Sequence, residues 1–148
     1  MIETLFIIAW FIAAFFIIFA LYKIFVNQAN NYFNTPIEGV KHLINSAQKS
    51  FFVNRVAVCN NNDNQFNKLF NAFKTFNVNI PFAFKLYLLP DCIVLTAFNK
   101  YATVFNRKDC QFSKKGFFSY FTIIKDDKNY TIDIGFNNKL IHEWLDNK

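Results

Sequence analysis

The chain opens on a pattern with no polar interruption. Residues 5–22, LFIIAWFIAAFFIIFALY, carry no charge, and Ile24, Phe25 and Val26 continue the run beyond Lys23. An α-helix rising 1.5 Å per residue crosses the roughly 30 Å of bilayer hydrocarbon in about 20 residues, so Leu5–Val26 is long enough to span. The apolar residues fill every side of the helix instead of one stripe, the pattern of a segment surrounded by lipid and not of a helix covering a small soluble core. The expected span runs through Leu5, Trp10, Phe15, Phe19, Tyr22 and Val26, with Tyr22 at the interfacial end. A cleaved export signal would need a basic leading region, a shorter apolar run and small residues before the cut. MIET has no Lys or Arg, and Ala20 and Ala29 are preceded two positions earlier by Ile18 and Asn27. The segment is therefore expected to persist as an anchor.

After the anchor the rhythm changes twice. Asn27–Asn34 is polar and Asn-rich and reads as a short stalk. Thr35-Pro36-Ile37-Glu38 then has the form of a capping box with proline at the first helical position. Ile37, Val40, Leu43, Ile44, Ala47 and Phe51 follow at helical spacing, which predicts an amphipathic helix to about Ser50. Val53–Cys59 is β-branched and predicts a strand ending in the loop Asn60–Asn64. Phe66, Leu69, Phe70, Phe73 and Phe76 share one face of a predicted helix over 64–76, a stripe of the kind that lies on a sheet.

From residue 79 the period becomes two. Pro81–Leu88, Cys92–Phe98 and Tyr101–Phe105 predict an antiparallel meander, and Asn106–Asp109 a loop. Phe117–Lys125 and Tyr130–Phe136, separated by four polar residues (Asp126–Asn129), predict a hairpin. A helix over 138–146, capped by Asn137 and facing inward with Leu140, Ile141, Trp144 and Leu145, completes the chain. The fold class expected is α+β: a transmembrane helix (1–26), a polar stalk (27–34), and a domain over 35–148 with a mainly antiparallel sheet of about five to six strands and three helices.

Composition narrows the class. About 120 residues beyond the anchor suffice for one domain. With 22 Phe but only 3 Gly and 3 Pro, the chain has neither the low hydrophobicity of a disordered tail nor the breakers of a linker. The net charge of +6 comes from scattered lysines, whereas nucleic-acid binders gather charge on one face or arm. Attraction to acidic lipid is the better reading, and nucleic acid is not an expected partner. Lys23 and Lys41 against Glu38 on the inner flank favour a cytoplasmic domain. Three cysteines and the sequon Asn129-Tyr130-Thr131 would suit an oxidising compartment instead, and the orientation stays open.

No catalytic or metal-binding constellation emerges. His42 and His142 are alone on separate helices, with no H-x-x-x-H or C-x-x-C spacing. Asp126-Asp127 belongs to a turn, Gly39, Gly116 and Gly135 make no phosphate loop, and no Ser or Cys stands in a nucleophile motif. A non-enzyme without cofactor, metal or evident small-molecule substrate is expected. In an oxidising space Cys92 and Cys110 would close a loop of about 18 residues, contributing on the order of 3 kcal/mol, with Cys59 unpaired or intermolecular. Cys59–Cys92 pairing and three reduced thiols are the alternatives.

The anchor with Lys23 at its inner end, the Asn- and Phe-heavy domain with isolated cysteines, and the string Asn60-Asn61-Asn62-Asp63-Asn64 together resemble the small envelope proteins of baculoviruses and related large DNA viruses of insects, in particular the per os infectivity factors. The resemblance covers the anchor and the overall style, and it carries no functional residue. It implies an envelope-anchored subunit in a complex with other membrane-anchored proteins that attaches the virion to host cells and promotes entry. A bacterial envelope or secretion-apparatus subunit with a periplasmic domain has the same outline. A small membrane-bound enzyme would place its chemistry near Asp133, His142 and Glu143.

Overall fold

The first helix does not stop where the apolar run ends. In the computed structural model, which describes residues 2–60, 76–115 and 118–146, α1 (Ile2–Tyr32) continues without a break through the residues expected to form a stalk. Asn27, Gln28, Asn30 and Asn31 lie on its exposed side, while Val26, Ala29 and Phe33 are buried in the domain core. Polarity on one face does not interrupt the helix, and the segment is an amphipathic extension of α1 and not a separate stalk.

The chain then forms β1 (Thr35–Pro36), α2 (Ile37–Ser46), β2 (Lys49–Phe52), β3 (Arg55–Asn60), β4 (Phe76–Val78), β5 (Phe84–Leu88), β6 (Cys92–Ala97) and β7 (Tyr101–Asn106). A 3-10 turn (Arg107–Asp109), β8 (Cys110–Lys115), β9 (Phe118–Lys125), β10 (Lys128–Asp133) and α3 (Asn138–Asp146) follow. Among the described residues the strands make two antiparallel five-stranded sheets, ordered β1-β7-β6-β5-β2 and β4-β3-β10-β9-β8. The class is α+β as expected, but the strands divide into two sheets instead of one.

The sheets face each other across the main core. Period-two alternation turns Phe84, Leu86 and Leu88 of β5 and Phe105 of β7 toward Val56, Val58, Phe121, Ile123, Tyr130 and Ile132 of the second sheet. Rings cross the gap: Phe76 packs edge-on to Phe84 with centroids 5.9 Å apart, and Phe105 edge-on to Tyr130 at 4.9 Å. A second core lies on the other face of the first sheet, where Val40, Leu43 and Ile44 of α2 cover Leu89, Val94 and Ala102. The continuous burial of β6 from Ile93 to Ala97 follows, because this strand is covered on both faces.

The local details differ from expectation in several places. The capping box is not made: Thr35 pairs with Ala102, Pro36 is itself the N-cap residue without a side-chain cap, and the Ile37 N–H donates to the Lys100 carbonyl at 3.0 Å. Strand pairing takes Thr35 away from the capping position, and its methyl group would stand only 3.1 Å from a side-chain carbon built at Gly39, closer than ordinary packing. α2 ends at Ser46, whose hydroxyl donates to the Leu43 carbonyl at 3.0 Å, so Ser50 and Phe51 belong to β2 and not to the helix. The predicted helix over 64–76 falls on residues outside the described ones except Phe76, which begins β4. The hairpin loop shortens from four residues to two. Lys125 pairs with Lys128, and Asp126 and Asp127 take φ of 49° and 59°, the left-handed pair of a type I′ turn.

Candidate functional site

The feature that sets this chain apart is the surface of α1. Trp10 is 75% exposed, and Leu5, Phe15, Phe19 and Tyr22 are exposed with it on all sides of the helix. Thr4–Tyr32 has a mean hydropathy of 2.8, and none of its most apolar window is covered by protein. This one N-terminal helix is long and apolar enough to cross a membrane. Thr4–Leu21, the part ahead of the first ring contact with the domain at Tyr22, is about 27 Å long at the rise of an α-helix. Val26, expected in the span, is buried in the domain core instead.

The seat of the helix is built from both sheets. Tyr22 meets the ring of Phe98 edge-on at 5.6 Å, and Phe33 packs on Phe76 at 5.8 Å and on Phe84 at 6.1 Å. Four residues of one stripe, Tyr22, Val26, Ala29 and Phe33, thus carry the docking. The carbonyls left over at the helix end find donors from the hairpin. The Lys128 ammonium donates to Asn31 at 3.1 Å while lying 5.5 Å from the ring centre of Tyr32, and the Tyr130 hydroxyl donates to the Tyr32 carbonyl at 2.9 Å. A cation at this end also complements the helix dipole.

The residues considered for chemistry are dispersed. The His142 ring lies edge-on to Phe112 at 4.8 Å, Glu143 pairs with Lys49, and Asp133 accepts the Gly135 N–H at 2.8 Å in a tight turn. The Lys49 ammonium holds the Glu143 carboxyl below its ordinary range. His42 is exposed on α2. Among the described residues no group of three or more His, Cys, Asp and Glu is arranged to hold a metal ion.

Cys59, Cys92 and Cys110 are free thiols. Cys110 donates to the Asn106 carbonyl at 3.3 Å, and burial, then Asp109 and the neighbouring Cys92, push its thiol up to about 12. Burial, then Asp91, also raises Cys92. Asn129 is paired on both sides in the middle of the second sheet, and its side-chain oxygen is buried without a hydrogen-bond partner, a poor position for a glycan.

A groove of about 680 Å³, open to solvent, is lined by Pro90, Asp91, Asn106, Arg107, Lys108 and Leu145. Sequence reasoning passed over Arg107 as a loop residue. Its guanidinium donates to the carbonyls of Pro90 at 3.0 Å, Leu145 at 2.8 Å and Trp144, and it stacks 4.8 Å from the Trp144 ring centre. The Trp144 indole N–H in turn donates to the Leu89 carbonyl. This arrangement ties the C-terminus of α3 to the β5–β6 turn, and its geometry is that of a structural clamp. Compared with known proteins, the chain matches no family model, no curated protein and no solved structure.

Proposed function

We propose that the chain is a single-pass, membrane-anchored structural and interaction subunit of an envelope protein complex. The observation that carries this reading is the contrast within α1: apolar and uncovered on every side for its first part, then sealed into the domain core by one stripe. A bilayer removes the cost of the uncovered part, which in water would expose an apolar surface far larger than the few hundred Å² usual for a monomer. The two-sheet domain serves as the docking platform for other membrane-anchored proteins. The envelope of an insect DNA virus of the baculovirus type is the setting, with attachment and entry as the task of the assembled complex; the support is the Asn- and Phe-rich style of the sequence and its anchor.

The test is extraction from infected or expressing cells. The protein is expected to stay with membranes through an alkaline wash, and to leave gentle detergent with other integral membrane proteins. Release by the wash would refute the anchor, and recovery as a lone monomer would refute the role as a subunit.

A further inference from the structure

The end of the domain from which α1 emerges carries aromatic surface that the fold itself does not need. Phe82 is 76% exposed and sits at a φ of 62°, a backbone conformation that bulky L-residues seldom adopt. An exposed ring of this size is unfavourable in water, and the backbone conformation adds strain. Phe82 stacks edge-on with Phe52, which is itself exposed, at 5.2 Å. Its chain neighbour Ala83 accepts the backbone N–H of Phe98 at 2.6 Å, and Phe98 is the residue against which Tyr22 packs. Phe82 and Phe52 are therefore tied to the point where the apolar helix leaves the protein.

Positive charge lies beside these rings. The Lys85 ammonium is 5.5 Å from the ring centre of Phe52 and 5.0 Å from that of Tyr87, and Lys100 is exposed two residues beyond Phe98. A groove of about 270 Å³ opens here, lined by Phe52, Phe82, Lys85, Tyr87, Thr96 and Asn99. α2 covers the opposite half of the same sheet face, around Leu89 and Val94, and leaves this corner open.

We propose that this corner is a second membrane contact: Phe82 and Phe52 enter the headgroup and upper acyl layer of the bilayer that α1 crosses, and Lys85 takes the phosphate of an anionic lipid. The proposal rests on the reading of α1 as a span. Given that reading, Tyr22 lies at the level of the interface, where amphipathic aromatic side chains are favoured, and Phe98 and its neighbours lie at the same level. Lysines next to an anionic surface add to the attraction.

The experiment uses the full chain in nanodiscs of phosphatidylcholine with a minority of phosphatidylserine, comparing the wild type with Phe82→Trp. Trp10, within the span, reports on the anchor through quenching by lipids brominated in the acyl chain. The extra emission of the Phe82→Trp protein is expected to be blue-shifted and quenched by lipids brominated near the headgroup. Lys85→Gln in that background is expected to weaken docking roughly fivefold, and removing phosphatidylserine should erase the difference. Quenched Trp10 with water-like, unquenched emission from position 82 would overturn this contact and leave the anchor standing. Unquenched Trp10 would overturn both. A blue shift that requires two copies per disc and ignores brominated lipid would give the surface to a second copy of the chain, and would equally overturn the proposal.

Discussion

Arg107 holds three carbonyls and an indole from a turn that looks like unremarkable loop in the sequence. Charged hydrogen bonds each stabilise by about 1.5–3 kcal/mol, and these join the end of α3 to the β5–β6 turn. Arg107→Ala is expected to lower stability by about 2–4 kcal/mol, and Arg107→Lys to recover less than half, because an ammonium lacks the planar fork. Thermal unfolding in detergent, followed by the fluorescence of Trp144, measures both. Tyr130 offers a test by pH. Burial, with the nearby Asp126 carboxylate adding to it, pushes its hydroxyl up to about 12 from an ordinary value of 10.0. The folded state thus binds this proton more tightly than the unfolded one. Its contribution is complete below pH 10 and is lost as pH rises through 10 to 12, which an alkaline unfolding series will show. Tyr130→Phe should remove that phase and cost about 1 kcal/mol for the lost bond to Tyr32. Neither role was legible from sequence, since Arg107 acts on residues 17 and 38 positions away and Tyr130 on one 98 away.

Among the elements, the bounds of α3 were legible because its apolar spacing and its length agree, whereas the strand expected over Tyr130–Phe136 ends at Asp133 and turns before the helix. The meander β5–β6–β7 was read nearly as well, because each strand alternates or runs apolar between clear turns. α1 was read short. In Asn27–Asn34 Ala29 and Phe33 are buried and Tyr32 packs half-buried against the core, too few for a helical rhythm to stand out against the asparagines. The consequence is measurable. Phe33→Ala should cost about 3–5 kcal/mol, and a chain begun at residue 35 should lose cooperative unfolding that a chain begun at residue 25 keeps. Calorimetry of the two truncated chains separates them. The β9–β10 turn also has room for improvement, since Asp126 and Asp127 both take a conformation that Asn-Gly adopts more readily. The double change Asp126→Asn and Asp127→Gly should add about 1 kcal/mol, and it should lower the Tyr130 hydroxyl only in part, because burial, the larger cause of its raised position, remains.

At the scale of the whole molecule, the class was legible and the arrangement was not. Alternation shows that a strand has a buried face, but it does not name the partner, and β2–β5 and β3–β10 join residues far apart in sequence. β2 itself was hidden in the tail of α2, and β8 in a lysine-rich stretch. The division into two layers follows from Val53-Asn54, where the chain leaves one sheet for the other: Val53 donates to Phe84 in the first at 3.2 Å, and Asn54 to Asp133 in the second at 2.9 Å. Nothing in those two residues announces a crossover. The apolar helix, by contrast, was legible because its signal is local and long.

The unbroken run from Ile2 to Tyr32 has a mechanical meaning. With no hinge between the lipid-facing turns and the turns locked among Phe33, Phe76 and Phe84, the helix behaves as the handle of a lever and the two-sheet body as its head. Transmembrane helices lean by about 20° on average and lean further where the bilayer is thin. For the span proposed above, each degree of lean swings the body by the same angle, so the thickness of the lipid layer would set the inclination of the body to the membrane plane.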